Sequence, residues 1–415
     1  MRVRILGLSF VLIACPVAET QAQQPVYPPG LVTLDAVLQL AVGRRAEIVA
    51  ARARARAAEA RPAIVGALED PMVSASVDHL PFMFNGADVS LAVEQRFPLS
   101  GIRWHRRAAA RADIDRFRAE IGRAQLDVAL EAGVAFLMLQ ERRRTSELVQ
   151  TQLASARDVV TAANARYGAA VAPQSDVLIA EVEVARLTAE TASLTQEIRA
   201  AEAMLNAALA LDSATPIPPL ASAPSGAVIP SGDVSAQVAA RPELEAARAA
   251  VRGAEAEIDV MKAMFRPMAT VRAGPAYTMA EGKGLMLMVG VSIPLRRAAL
   301  RAGVAEAESM RAMAASEVDA MTRMFEGDAA AARHGLDAAR SRYTAVRDDV
   351  LPRARAAVGP SLSGYAAGQL PLTSVIAAVQ SLWQVEGDLI NAELRLGLAG
   401  LRAQRALGSF EGAGR

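Results

Sequence analysis

Six methionines, Met261, Met264, Met268, Met279, Met286 and Met288, crowd one short stretch of this 415-residue chain. A thioether is a soft donor suited to Cu(I), and it is also an adaptable apolar filler. His79, His105 and His334 lie far apart and show no ligand spacing. Cys15 is the single cysteine, which excludes an intrachain disulfide framework and any Cys-rich zinc or iron–sulfur site. The basic run Arg142, Arg143, Arg144 and the arginine-rich stretch 52–61 read as solvated helix faces, some of which could line a conduit. No nucleophile–base pair, phosphate-cradling glycine loop or zinc motif is present. The chain therefore reads as a non-enzyme without a cofactor, its metal contacts unassigned.

The elements that would position such residues are not those of an ordinary globular protein. The chain is 52% hydrophobic but only 4% aromatic, with a mean hydropathy of +0.21. Lys+Arg 45 nearly cancels Asp+Glu 44, which argues against an electrostatic nucleic-acid binder. Beyond the N-terminus no apolar run approaches the roughly 20 residues of a spanning helix, and alanine supplies most of the hydrophobicity. At the N-terminus, Arg2 and Arg4 precede the short apolar run 5–14, which Pro16 ends; this is the pattern of a secretory signal. Two processing readings stay open. Thr20-Gln21-Ala22 suits cleavage before Gln23, giving a signal of residues 1–22. Leu12-Ile13-Ala14-Cys15 suits a lipobox, with residues 1–14 removed and Cys15 lipidated.

An internal duplication organises the rest. Arg45-Ala46-Glu47-Ile48 matches Arg241-Pro242-Glu243-Leu244, and Phe97-Pro98-Leu99 matches Ile293-Pro294-Leu295, both at an offset of 196. Tyr167-Gly168 and Pro173-Gln174-Ser175-Asp176-Val177-Leu178 match Tyr365-Ala366 and Pro371-Leu372-Thr373-Ser374-Val375-Ile376 at an offset of 198. The halves are residues 31–211 and 234–409, joined by the Pro/Ser-rich segment 212–233.

Each half repeats one order of elements. An Ala/Arg-rich helix is expected over 34–61 and again over 235–265. Two short strands follow, at 72–79 and 89–97 and then at 270–277 and 285–293, where apolar and polar residues alternate. Residues 84–86 and 281–284 supply the hairpin turns. Long proline-free helical patterns then run over 101–166 and 296–351, the first about 100 Å long at 1.5 Å per residue. On the return helix Leu187, Leu194, Ile198, Leu205 and Leu209 step by 7, 4, 7 and 4, a period of about 3.67 that implies nearly straight packing.

Duplicated helix–hairpin–long helix–return helix units behind a signal peptide resemble the outer-membrane efflux channel family typified by TolC. The carriers are Arg166-Tyr167-Gly168 with Ser175-Asp176-Val177-Leu178, Tyr365-Ala366-Ala367-Gly368 with Thr373-Ser374-Val375-Ile376, and the strand ends Pro98-Leu99 and Pro294-Leu295. The resemblance implies a mainly α fold with a small β-barrel part: a homotrimer forming an α-barrel and one shared 12-stranded transmembrane β-barrel. It implies a location in the bacterial outer membrane, in contact with its lipid, with a long periplasmic extension. It also implies passive export in a tripartite system, with a periplasmic adaptor and an inner-membrane pump of RND type as partners. Short segments, Asp70-Pro71-Met72, Asp78-His79-Leu80-Pro81 and Gly274-Pro275-Ala276-Tyr277, are similar to heavy-metal cation efflux members. A drug or organic-solute channel is the alternative, and a periplasmic coiled-coil adaptor is the alternative of another class. Tyr167, Gly168, Pro173 and Asp176, with Tyr365, Gly368, Pro371 and Ser374, are the residues expected to dock the adaptor and close the pore. Family members often ring the second tip with acidic residues, where this chain has Ser374 and Ala377.

Overall fold

The computed structural model describes residues 27, 30–78, 88–222, 233–278 and 280–410. The expected signal segment with Cys15, the residues His79 and Met279, the turn 84–86 and residues 223–232 of the joining segment lie outside the described residues.

The first half runs α1 (Leu34–Arg44), α2 (Ala46–Val65), β1 (Met72–Asp78), β2 (Asp88–Pro98), α3 (Ile102–Gly168) and α4 (Gln174–Ala208). The second runs α5 (Val234–Ala239), α6 (Pro242–Ala263), β3 (Met268–Thr278), β4 (Gly282–Ser292), α7 (Arg297–Ala345), α8 (Leu351–Ala366) and α9 (Leu372–Leu407). The Thr33 hydroxyl caps α1 by accepting from the Ala36 N–H at 3.2 Å.

Where one helix was expected in front of each hairpin there are two, broken at Arg45 (ψ 132°) and at Arg241 (ψ 138°). The break has a physical cause in each copy. Extended backbone turns the guanidinium inward, where Arg45 bonds Glu47 at 2.7 Å, Glu131 at 2.8 Å and the Ala208 carbonyl at 3.2 Å. Arg241 repeats this with Glu243 at 3.1 Å and the Ala406 carbonyl at 2.8 Å, and it lies 3.7 Å over the Phe325 ring. Each arginine thus ties the entry of one helix to the end of its repeat's return helix.

The second long helix also departs from expectation, continuing past residue 351 through Pro352 and Pro360 to Ala366. A proline lacks the N–H for the helical ladder and its ring crowds the preceding turn. A π-helical stretch, Val346–Val350, stands immediately before Pro352 and widens that turn.

The four strands form one antiparallel sheet in the order β1-β2-β3-β4. Among the described residues its outer strands, β1 and β4, each pair on one side only. The register, with Val77 opposite Val89, Gln95 opposite Val271 and Val271 opposite Val289, assigns every residue to a face. One face carries Val73, Val77, Val89, Leu91, Val93, Leu285, Leu287, Val289 and Val291, all exposed, Leu285 to 83%. The other carries Ser74, Ser76, Ser90, Glu94, Arg96, Thr270 and Arg272. Gly274 is required where β3 runs closest to β2, because a Cβ there would lie 1.9 Å from the Leu91 carbonyl oxygen.

The helices pack side by side along their length. The largest core gathers Val37, Leu38, Phe136, Leu139, Leu205 and Leu209, and four smaller clusters follow the helices away from it. Leu187, Leu194, Leu205 and Leu209 of the 3.67-residue stripe are buried. Small residues set the spacing of α3 and α9: a Cβ on Gly133 would sit 2.8 Å from Leu401, and one on Gly397 would sit 2.9 Å from Leu137. The described part of the joining segment is held against this bundle, with Arg143 donating to the Pro218 carbonyl at 3.0 Å and Val32 bridging to Leu220. Among the described residues no helix is long and apolar enough to cross a membrane.

Candidate functional site at the helix tips

The two long hairpins end in turns that repeat bond for bond. In the first, the N–H groups of Ala169, Ala170 and Val171 donate to the carbonyls of Ala165, Tyr167 and Arg166 at 3.1, 2.9 and 3.0 Å. In the second, those of Ala367, Gly368 and Gln369 donate to Ser363, Tyr365 and Gly364 at 3.0, 2.9 and 2.8 Å. Pro173 and Pro371 stand in extended backbone, ψ 156° in both, and start the return helices. Asp176 and Ser374 occupy the same place in the first turn beyond, their N–H groups reaching back to the proline carbonyls at 3.2 and 3.1 Å.

The left-handed residue of the second turn is Gly368, φ +73°, as a glycine suits. In the first turn it is Ala170, φ +59°, and not Gly168, which closes α3. Placing a Cβ in that region costs on the order of 1–2 kcal/mol. The spacing points to this once the copies are aligned, since Ala170 is the residue 198 before Gly368.

The side chains of the two tips do not repeat. Tyr365 is buried among Ala163, Val177, Leu372 and Val375. Its hydroxyl donates to Asp176 Oδ2 at 3.4 Å. Arg166 lies 4.2 Å over the Tyr365 ring and donates to the carbonyls of Tyr365 and Ala366. Burial, and then the Asp176 charge, push the Tyr365 hydroxyl above the ordinary tyrosine range, so it stays a donor. Higher up, Gln380 donates to Glu183 at 2.8 Å, and Trp383 packs against Val149, Leu153 and Leu187. Tyr167, by contrast, is 47% exposed. The structure therefore brings Tyr365 and Asp176 together across the two hairpins and leaves Tyr167 facing out. Sequence reading gave no role to Arg166, Glu183, Gln380 or Trp383; the signal for Arg166 was its place in the tip motif beside Tyr167.

Of the remaining sequence candidates, Met264 and Met268 line one cavity where the sheet meets the helices. Met286 is paired with Gly274 and Met288 with Arg272 on the polar face of the sheet, while Met261 lies beside Gly303. His105 Nδ1 is 3.7 Å from Asp259, and Trp104 meets the His105 ring edge-on. Among the described residues no group of three or more His, Cys, Asp or Glu could hold a metal ion. Where the sheet meets the helices, a cavity of about 280 Å³ is lined by Arg96, Arg103, Arg106 and Arg266 against one carboxylate, Glu69.

No family model matches this chain, and no curated protein matches it either. Solved structures do. The outer membrane protein VceC from Vibrio cholerae is 17% identical and covers 91% of this chain and 96% of its own, with a TM-score of 0.76. CusC, a protein described as forming a transmembrane channel, is 15% identical over 91% of this chain and 92% of its own, with a TM-score of 0.80. The open state of the MtrE outer membrane channel from Neisseria gonorrhoeae is 17% identical over 91% and 89%, with a TM-score of 0.76. At these identities the likeness is one of architecture, and it spans nearly the whole of each molecule: the chain has the fold of these outer-membrane channels.

Proposed function

We propose that this chain is one of three identical subunits of an outer-membrane exit duct. The observation that carries the reading is the sheet. Its exposed face is apolar along three strands, its two edges are open, and it stands at the end of a 67-residue helix. Open edges are untenable in lipid, so the sheet must close on further copies. Strands of 11 residues, as in β2, β3 and β4, meet the roughly 9–11 residues needed to cross a bilayer with tilt. Three copies would give a 12-stranded barrel with its polar face inside. Signal-directed export, with or without lipidation at Cys15, delivers the chain to that membrane.

The helices continue the duct into the periplasm, and their tips meet the adaptor of an inner-membrane pump of RND type, which supplies the energy. Tyr167, Gly168, Pro173 and the second-tip residues Gly368, Pro371 and Ser374 form the surface offered to the adaptor. Tyr365, Asp176 and Arg166 hold the second hairpin against the first, and the duct widens at the tip when they part. Recovery of the chain from outer membranes as a detergent-stable trimer supports this; a water-soluble monomer contradicts it.

For cargo, the short segments similar to heavy-metal cation efflux members favour metal cations. The four arginines that line the cavity favour organic anions and drugs. Deleting the gene and measuring sensitivity to copper, zinc and hydrophobic drugs separates the two: selective loss of metal tolerance supports the first, and unchanged metal tolerance with drug sensitivity supports the second.

A further inference from the structure

The contact between the two hairpins of one chain is a template for the contact between chains, because the hairpins are copies of each other. Within the chain, α9 lays Val375, Ile376, Val379, Gln380 and Trp383 against Ala156 and Val159 of α3 and Ala180 and Glu183 of α4. The residues 198 earlier than that α9 face lie on α4: Val177, Leu178, Glu181, Val182 and Ala185. Leu178 and Val182 are 53% and 65% exposed, an apolar face with no cover in the single chain. The residues 198 later than the receiving groove are Ala354, Ala357, Ala378 and Ser381, a small-residue groove between α8 and α9 that is partly or fully open.

We propose that α4 of each copy docks its Leu178–Val182 face into the α8–α9 groove of a second copy, setting Tyr167 against Ser374 of that copy, and that this seam carries none of the charged ties that latch the tip of the seam within a chain. The inference rests on the trimeric duct proposed above and deepens it. Every polar tie at the tip of the internal seam is lost when it is moved by 198 residues. Arg166, which stacks on Tyr365, becomes Gly364. Asp176, which accepts from Tyr365, becomes Ser374. The Gln380–Glu183 pair becomes Val182 facing Ser381, and the Trp383 knob becomes Ala185. A hydroxyl facing a hydroxyl makes a weaker hydrogen bond than one facing a carboxylate. The tips accordingly part between copies first, and full opening follows when the latched seam within each chain parts as well.

The test uses the full chain in detergent with Tyr167→Cys and Ser374→Cys combined, treated with a thiol-to-thiol bis-maleimide about as long as a tyrosine side chain. The single-cysteine variants control for Cys15. Cross-linked dimers and trimers that need both new cysteines support the docking. A trimer by mass that yields no such ladder overturns it while leaving the duct intact, and a monomer by mass overturns the duct itself. In planar bilayers, Ser374→Asp installs the missing carboxylate opposite Tyr167 and is expected to lower the fraction of time spent open roughly tenfold. An unchanged or higher open fraction in a trimer that still cross-links overturns the unlatched seam.

Discussion

Replacing Tyr365 by Phe removes one hydroxyl from the tip and leaves the ring. The ring keeps its place among Ala163, Val177, Leu372 and Val375, and Arg166 keeps its position 4.2 Å above it. What is lost is the hydrogen bond to Asp176. Bonds to a charged acceptor are among the stronger ones, but 3.4 Å is long for an O–H donor. The low end of the range applies, about 0.5–1 kcal/mol per chain. In a duct of three chains that open together the loss is about 1.5–3 kcal/mol, which is a shift of roughly 10–100-fold in the ratio of open to closed tips. Single-channel recording in planar bilayers, without adaptor or pump, reads that ratio directly. Asp176→Asn should produce a smaller rise, because an amide oxygen still accepts from the hydroxyl. If Tyr365→Phe leaves the open fraction within twofold of the parent, the tyrosine–carboxylate bond does not hold the tip shut and the latch reasoning fails.

Three further outcomes follow from other parts of the fold. Arg241→Met leaves Glu243 buried with Arg405 alone, and should cost about 3–5 kcal/mol in denaturant unfolding, whereas Arg45→Met, whose partners Glu47 and Glu131 are 56% and 57% exposed, should cost no more than about 1 kcal/mol. Burial would raise the Glu243 carboxyl, but the hydrogen bonds from Arg241 and Arg405 hold it below its ordinary 4.5; the stability it contributes is therefore full above about pH 4.5 and lost as pH falls through the lower folded value, and Glu243→Gln should flatten that acid limb of a thermal-melt profile. Leu287→Arg places a charge on the apolar face of β4 and should cost about 2–4 kcal/mol per chain at mid-bilayer, seen as loss of trimer from outer-membrane fractions, while Ser90→Gln on the opposite face should leave trimer yield unchanged.

The duplication was legible in the sequence because proline, glycine and tyrosine landmarks keep their order at near-constant offset, and the strands were legible because a sheet with one apolar face has a period of two. The rise of that offset from 196 to 198 was visible too, but not its form. The π-helical stretch at Val346–Val350 takes up part of the difference, since a π turn holds more residues than an α turn. The break at Arg241 was legible, because Pro242 favours extended backbone in the residue before it. The break at Arg45, which Ala46 follows, was not: there a tertiary partner, the Ala208 carbonyl, makes an extended arginine favourable. At the tips, Tyr365 and Tyr167 look alike in the sequence and differ in the fold. Burial and an acidic partner belong to the space between hairpins, which no local spacing records. Pro352 misled in the other direction, because the widened turn before it accommodates what a regular helix rejects.

A role as an exit duct requires that copies of this chain make a pore. Full-length protein purified in detergent and added to one side of a planar lipid bilayer should produce discrete, uniform steps in ion conductance, each step one trimer with its sheet closed into a barrel. A protein that remains soluble without detergent and leaves the bilayer electrically silent would contradict it.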